Sequence, residues 1–233
     1  VSLVAAMGGL LFGYDWVVIG GAKPFFVKYF DLTTAAQIGW AMSSALSGCL
    51  AGSVISGALS DRLGRKRLLI AAGFLFTASA IGTALAGRYT IFIVSRIIGG
   101  MGIGLASNLS PMYIAEITPA PMRGKFVSIN QLTIVIGVLA AQFINWMIAL
   151  PVVETATAQQ ILHSWNGQVG WRWMFGAETL PALLFFILMF FVPESPRWLV
   201  KNNQITKAKS ILTKVGGLNY ANRAVDEIRN SLT

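Results

Sequence analysis

The chain has 233 residues, a formal net charge of +9, 55% hydrophobic residues and only 12% charged residues. A water-soluble domain of average composition carries about 25% charged residues, so this composition argues against a soluble globular protein. The excess of positive charge does not indicate a nucleic-acid-binding protein, because it is not gathered on one face of a soluble fold.

Six apolar stretches account for most of the chain, and each reaches the roughly 20 residues needed to cross a bilayer. Because lipid offers no hydrogen bonds to the peptide backbone, each stretch is predicted to be a helix. The sequence therefore predicts an all-α membrane protein with six transmembrane helices. In chain order the spans are Val1 to Ala22, Leu32 to Ser60, Leu68 to Gly87, Tyr89 to Ala115, Phe126 to Val153 and Trp173 to Pro193.

Glycines recur at helical spacing inside two of these spans. Gly48 and Gly52 lie four residues apart in the second span, and Gly100 and Gly104 repeat that spacing in the fourth. Small residues at this spacing are typical of closely packed membrane helices. The run 99–104 also resembles a phosphate-binding loop, but that motif needs a strand, a turn and a helix in water. We therefore predict helix packing here and no nucleotide cofactor.

Three ionisable residues lie inside spans: Asp15 in the first, Arg96 in the fourth and Glu178 in the sixth. A charge within the bilayer costs at least ~2.5–3.5 kcal/mol and is a functional-site hypothesis by default. The first and fourth spans are both glycine-rich, which is compatible with two three-helix repeats. If these spans meet, Arg96 favours ionised Asp15 while desolvation favours the protonated acid. A purely structural ion pair, and a purely structural Glu178, are the alternatives.

The basic residues favour one side of the membrane. Of 18 lysines and arginines, 13 lie in the loops after the second and fourth spans or in the tail after the sixth. Cytoplasmic loops carry such an excess. We therefore expect these loops, and both ends of the chain, to be cytoplasmic in a multi-pass protein of the cell membrane.

The tail after the sixth span is polar and basic, and we place a boundary between 1–193 and 194–233. Apolar residues from Ile205 to Val215 recur on one helical face, which predicts an amphipathic helix at the membrane surface. Gly216 and Gly217 are predicted to end it, and a disordered linker is the alternative. A second short helix is indicated by Val225, Ile228 and Leu232.

The sequence has no catalytic or metal-binding signature. His163 and Cys49 are the only residues of their types, so neither a metal cluster nor a disulfide within the chain is expected. We predict that the protein is not an enzyme and needs no cofactor or metal.

The loop after the second span carries the most specific motif. Residues 57–67 read glycine, three residues, Asp-Arg, one residue, then Gly-Arg-Lys-Arg. This pattern resembles the signature loop of the major facilitator superfamily. Four further segments resemble the sugar porter family, and within it the bacterial proton-coupled xylose and hexose symporters. They are 110–125 (SPMYIAE followed by PAPMRGK), Asn130-Gln131, Gly170-Trp171-Arg172 and 193–199 (PESPRWL).

The resemblance runs from Leu10 to about Gly216 and implies the N-terminal six-helix half of a twelve-helix fold. The implied function is secondary active transport of a pentose or hexose, coupled to protons by alternating access. Its partners are then the sugar, protons, the lipid bilayer and a C-terminal half, with no nucleic acid. A facilitative uniporter, a sugar sensor and a drug or organic-ion antiporter are the alternatives. Asp15 argues against the uniporter, and the 193–199 motif argues against the antiporter.

The resemblance also implies roles for single residues in transport. Asp15 matches the family's proton site, Arg96 its partner and Glu178 a carboxylate that tunes the pair. Gln131 matches a sugar ligand and Phe12 an aromatic residue that lines the sugar pocket. Val138 replaces a glutamine of the xylose symporters, which leaves the identity of the sugar open.

A cytoplasmic gate is implied by the same resemblance. In the signature loop, Asp61 can cap a helix start, and arginines form forked pairs with carboxylates. The resemblance implies that Arg65 bridges toward Glu116 and Glu194. The implied gate residues are Asp61, Arg65, Glu116, Arg123, Glu194 and Arg197.

Overall fold

The computed structural model describes residues 1–153 and 156–231, and the regular elements in these residues are all helical. A 3₁₀ turn, Ala120–Met122, precedes the fifth helix, and a π-helical segment, Asn166–Gly170, precedes the seventh. The α-helices are α1 Ser2–Tyr29, α2 Ala35–Leu63, α3 Arg65–Ala84, α4 Tyr89–Ile117, α5 Arg123–Ile148, α6 Ala158–His163, α7 Trp171–Gly176, α8 Thr179–Phe191, α9 Pro196–Lys201 and α10 Ile205–Asn230.

Six helical runs in the described residues are long and apolar enough to cross a membrane. The helices α1 to α5 supply five of them, and the sixth is the run Asn166–Phe191, which contains α7 and α8. The predicted all-α fold with six membrane-length helices is therefore confirmed.

Each span extends past a charge at which a predicted boundary was set, and the first and sixth extend farthest. The first helix continues beyond Ala22 through Lys23 and Lys28, and the sixth span begins well before Trp173. Long basic side chains lay their stems along apolar surface while their charged ends reach water. A lysine or arginine near the end of a span is therefore compatible with a continuing helix.

The fifth span ends earlier than predicted, at Ile148 rather than near Val153. Pro151 follows closely, and a proline disfavours the helical conformation of the residue before it. The end of this helix is therefore set by local backbone sterics, which the apolar composition of the stretch does not reveal.

The sixth span is interrupted where Glu178 lies. The helix α7 ends at Gly176 and α8 begins at Thr179, so Glu178 occupies the turn between them. Pro181 lacks the N–H that would bond the carbonyl of Ala177, and its ring crowds that carbonyl, which breaks the regular ladder. The Glu178 side chain is carried into the bundle at this break and is 2% exposed.

Glycines hold α2 against α4 at backbone contact, as predicted. A Cβ atom at any of the four glycines would collide with the backbone of the facing helix, so no larger residue fits there without movement. The contacts are Gly48 with Ile97, Gly52 with Met101, Gly100 with Ala45 and Gly104 with Cys49.

The helices α1 and α5 are also packed closely through glycines. Gly13 lies against the backbone of Ile134, and Gly137 lies against the backbone of Leu10. The first and fourth helices thus hold equivalent places in two similar pairs, in agreement with the hypothesis of two repeats. Side chains from both helices meet the sixth span in the buried core.

The tail forms helices rather than a linker without structure. The helices α9 and α10 share a small apolar cluster that includes Leu199, Leu212 and Val225. Gly217 has φ 82°, so α10 is broken there into two helical pieces, as the Gly-Gly pair predicted. Leu232, which we assigned to the second helix, lies outside the described residues.

Candidate functional site

The three ionisable residues inside the spans form one buried cluster. The residues Asp15 of α1, Arg96 of α4 and Glu178 of the sixth span are each 2% exposed. The Nη1 atom of Arg96 donates a hydrogen bond to Oδ1 of Asp15 in an ion pair. The Glu178 carboxyl is close enough to interact electrostatically with both of them. Asp15 and Arg96 are 81 residues apart in the sequence, and the fold brings them together among the spans.

The walls of this cluster are aromatic. The Arg96 guanidinium lies over the ring of Phe175, 5.4 Å from its centroid. The Tyr14 hydroxyl donates to the carbonyl oxygen of Met174 at 3.0 Å, which ties α1 to α7. Such packing keeps the ion pair in a dry environment, where electrostatic interactions are strong and unpaired polar atoms are costly.

Several polar atoms in the cluster have no hydrogen-bond partner among the described residues. They are Oδ2 of Asp15, Nε of Arg96 and Oε1 of Glu178. Buried polar groups in folded proteins are nearly always hydrogen-bonded, so three unsatisfied atoms at one place are unusual. The hydrogen bonding of this cluster is therefore incomplete within the described residues.

A second cluster lies at the turn between α2 and α3, where Gly64 adopts φ 89°. That left-handed conformation suits glycine, and it lets Arg65 fold back along the end of α2. The Nη2 atom of Arg65 donates to Oε1 of Glu116 at 3.0 Å, and its Nε lies 3.0 Å from Oε2. The Nη1 atom of Arg65 donates to Asp61 and to the carbonyl of Ser60, both at 3.0 Å.

Glu194 enters this second cluster in a way that the sequence-based expectation missed. Its Oε1 accepts hydrogen bonds from the backbone N–H groups of Arg65 and Lys66, at 3.0 and 3.1 Å. The predicted side-chain bridge from Arg65 to Glu194 is therefore wrong. The first N–H groups of a helix lack intrahelical partners, so Glu194, and not Asp61, satisfies the start of α3.

Asp61 instead links the signature loop to the tail. Its carboxylate accepts from Lys201 of α9 at 2.7 Å and from Arg65, and its carbonyl accepts from Nε1 of Trp198 at 2.8 Å. Ser195 donates to Glu116 at 2.5 Å, which ties the same tail to α4. Lys201 was not foreseen, because its pairing depends on how α9 folds back under the bundle.

The other two implied gate residues form no ion pair in the described part of the chain. Arg123 and Arg197 are both exposed, and with Glu116 and Tyr220 they line a groove beside α10. Burial and the charge of Glu227 raise the pKa of the Tyr220 phenol, and the nearby Arg123 opposes that shift. These arginines therefore face the tail and remain open to further partners.

The implied sugar residues lie on α1 and α5. Gln131 is exposed, and its amide makes no hydrogen bond within the described residues. Phe12 is half-buried and packs edge-to-face on Trp16, with the ring centroids 6.3 Å apart. Trp16 follows Phe12 by one helical turn, so both rings lie on the same face of α1. Val138 lies at the α1–α5 contact, beside Gly13.

Comparison with known proteins gives the chain its family. The family model described as "Sugar (and other) transporter" matches residues 1–233. The D-xylose-proton symporter of Escherichia coli (strain K12) is 42% identical, over 100% of this chain and 50% of its own length. The arabinose-proton symporter of Bacillus subtilis (strain 168) is 41% identical, over 100% of this chain and 48% of its own length.

A solved structure agrees with this assignment. The xylose transporter of E. coli, in a partially occluded inward-open conformation, matches with a TM-score of 0.90 and 41% identity, over 100% of this chain and 58% of its own. The chain spans about half the length of the curated relatives it matches. The chain therefore belongs to the sugar transporter family of the major facilitator superfamily and corresponds to the N-terminal half of its fold.

Proposed function

We propose that the chain supplies the N-terminal half of a proton-coupled monosaccharide symporter that works by alternating access. The observation that carries this proposal is the buried cluster of Asp15, Arg96 and Glu178. One guanidinium balances one carboxylate, so full ionisation leaves a net negative charge in a dry, membrane-spanning region. One bound proton restores neutrality, and such neutrality is strongly favoured there.

Asp15 is the proposed coupling site, with Arg96 as its partner. The ion pair joins α1 to α4, so a change in the protonation of Asp15 alters the attraction between two helices. Hydration of the cluster in one conformation and desolvation in another would change its proton affinity, which couples proton binding to the conformational change. Glu178 is the proposed second carboxylate, which sets the charge that the pair experiences.

A monosaccharide is the proposed substrate, in keeping with the named substrates of the relatives. Sugar sites combine hydrogen-bonding groups that fix orientation with an apolar or aromatic wall. Gln131 offers an amide whose hydrogen-bonding groups are free in the described residues, and Phe12 offers an aromatic ring on the neighbouring helix. Both are proposed sugar contacts.

The cluster around Arg65 is the proposed cytoplasmic gate, and it includes Asp61, Glu116 and Glu194. Arg123 and Arg197 are proposed to complete this gate by binding further partners.

The test is Asp15→Asn in the intact transporter, which keeps the shape of the side chain but fixes the neutral state. Proton-driven accumulation of sugar in vesicles should be lost, while sugar binding and counterflow survive. Gln131→Ala is the matched variant, because it should weaken sugar binding by about 1–3 kcal/mol and leave the coupling intact. Asp15→Asn vesicles that still concentrate sugar under an imposed proton-motive force would rule out Asp15 as the coupling site.

The proposed orientation places the turn at Gly64 in the cytoplasm, together with both ends of the chain. Ser60 is buried, so it is a poor position for a reporter, whereas Arg62 is exposed. After removal of Cys49, Arg62→Cys should resist an impermeant thiol reagent added to intact cells and react in permeabilised cells. Labelling from outside intact cells would reverse the orientation.

A further inference from the structure

A groove of about 710 Å³ lies at the end of the bundle where α3 begins, and α10 forms its far wall. Its cationic side chains are Lys66 and Arg67 of α3 and Lys207 of α10, and we call it the basic groove. None of the three has an acidic partner within ion-pair distance in the described residues. The three cations of the groove are therefore not held in ion pairs in the described part of the chain.

One acid, Glu194, also lines this groove, so three cations stand against one carboxylate. The Oε1 atom of Glu194 accepts hydrogen bonds from three backbone N–H groups, those of Arg65, Lys66 and Ser195. A carboxylate held this way is directed at the start of α3 rather than at the cations. The basic groove thus presents an excess of positive charge to any anion that reaches it.

The groove lies at the level of the spans where a membrane surface is expected. Lys66 lies in the first turn of α3, and its Nζ donates at 2.7 Å to the carbonyl of Phe190 in the last turn of α8. Both helices belong to membrane-length runs, so this contact marks the level at which two spans end. Trp198 also lines the groove, and tryptophan is enriched at this level of the bilayer.

An apolar stripe leads from the groove along the outside of the spans. Ile70 lines the groove, and Phe74 lies one turn further along α3. The ring of Phe74 is 6.1 Å from that of Phe186, which is 5.2 Å from that of Phe190. Phe74 and Phe190 are 57% and 52% exposed, so this stripe faces outward.

We propose that the basic groove binds the headgroup of an anionic phospholipid whose acyl chains lie along the aromatic stripe of α3 and α8. Basic pockets between spans near a membrane surface suit anionic lipid headgroups. A free phosphate or an acidic peptide would use the cations alone, whereas a lipid uses the cations and the adjoining apolar surface together. The site adjoins the Arg65 cluster through Lys66 and Glu194, so the lipid also braces the start of α3.

Native mass spectrometry of the intact, detergent-purified protein measures this binding directly. Dioleoyl phosphatidylglycerol should bind at least about tenfold more tightly than phosphatidylcholine with the same chains, because several cations contribute. The double variant Arg67→Gln/Lys207→Gln should lose most of that preference, and Arg67→Lys/Lys207→Arg should keep it. Both positions are exposed, so folding should survive, as the melting temperature in phosphatidylcholine will show.

The matched control is Arg223→Gln/Arg229→Gln, which removes the same charge from the second piece of α10. Equal losses in the two double variants would overturn the proposal, because they would show general attraction to a basic surface. An absence of preference for phosphatidylglycerol would also overturn it. Displacement of the lipid by an equal concentration of soluble glycerol phosphate would assign the groove to a free phosphate and contradict a lipid site.

Discussion

Two arginine–carboxylate clusters lie at different depths in this bundle, and their hydrogen bonding differs. Arg65, at the start of α3, contacts Glu116 and Asp61 as well as the carbonyl of Ser60. Arg96, among the spans, pairs with Asp15 while three polar atoms of that cluster lack partners in the described residues. In the first cluster Nε of Arg65 is the one buried side-chain atom without a hydrogen-bond partner in the described residues, against three such atoms in the second.

The difference follows from the surroundings of each cluster. The Arg65 cluster runs from the buried side chains of Arg65 and Glu116 to Asp61, whose side chain is 53% exposed, and its partners come from helix ends and the tail. The cluster at Arg96 lies in an apolar environment, where desolvation opposes charge and each ion needs its partner. We expect substitutions to be most costly in the cluster among the spans and least costly where a carboxylate reaches water.

The largest effect is expected for Arg96→Met. This variant removes the cation and leaves Asp15 and Glu178 buried together, which should lower the free energy of unfolding by about 3–5 kcal/mol. Unfolding of the purified protein in detergent measures the loss. Adding Asp15→Asn to the same chain should recover part of it, because one stranded charge is removed. A double variant no more stable than Arg96→Met would contradict the role of that pair.

A smaller effect is expected for Arg65→Lys. Lysine keeps the charge but cannot contact both oxygens of Glu116 and also reach Asp61 and the Ser60 carbonyl. The expected loss is about 1.5–3 kcal/mol, which is typical of hydrogen bonds to charged groups. Arg67→Lys is the control, since Arg67 is exposed without an acidic partner and should change stability by less than about 0.5 kcal/mol. Similar losses in both variants would show that Arg65 acts only through its charge.

The smallest effect is expected for Asp61→Asn. The Asp61 side chain is 53% exposed, and its partner Lys201 is 46% exposed. Exposed ion pairs contribute about 0–1 kcal/mol, and salt screens them. The melting temperature of the variant should therefore fall slightly at low salt and match that of the parent near 1 M salt. A difference that persists at high salt would place Asp61 among the fixed contacts of the Arg65 cluster.

Much of the fold could be predicted from local features of the chain. Spans of about 20 apolar residues fix the number of membrane helices, since every backbone group in lipid must be bonded within its helix. The Gly48, Gly52, Gly100 and Gly104 pattern identified packing surfaces correctly. The ends of α1 and α5 were less predictable. A helix can continue past a lysine whose charged end reaches water, and a proline that follows closely can end a helix within an apolar stretch.

The sequence by itself determined that Asp15, Arg96 and Glu178 lie within spans, since that depends only on their apolar neighbours. It also carried the family motifs, which are short and continuous. Only the tertiary structure decided which groups meet. Glu194 satisfies backbone N–H groups of α3, and Lys201 reaches Asp61 across 140 residues, because α9 folds back beneath the bundle. Such contacts depend on the rigid packing of distant helices, which no local pattern encodes.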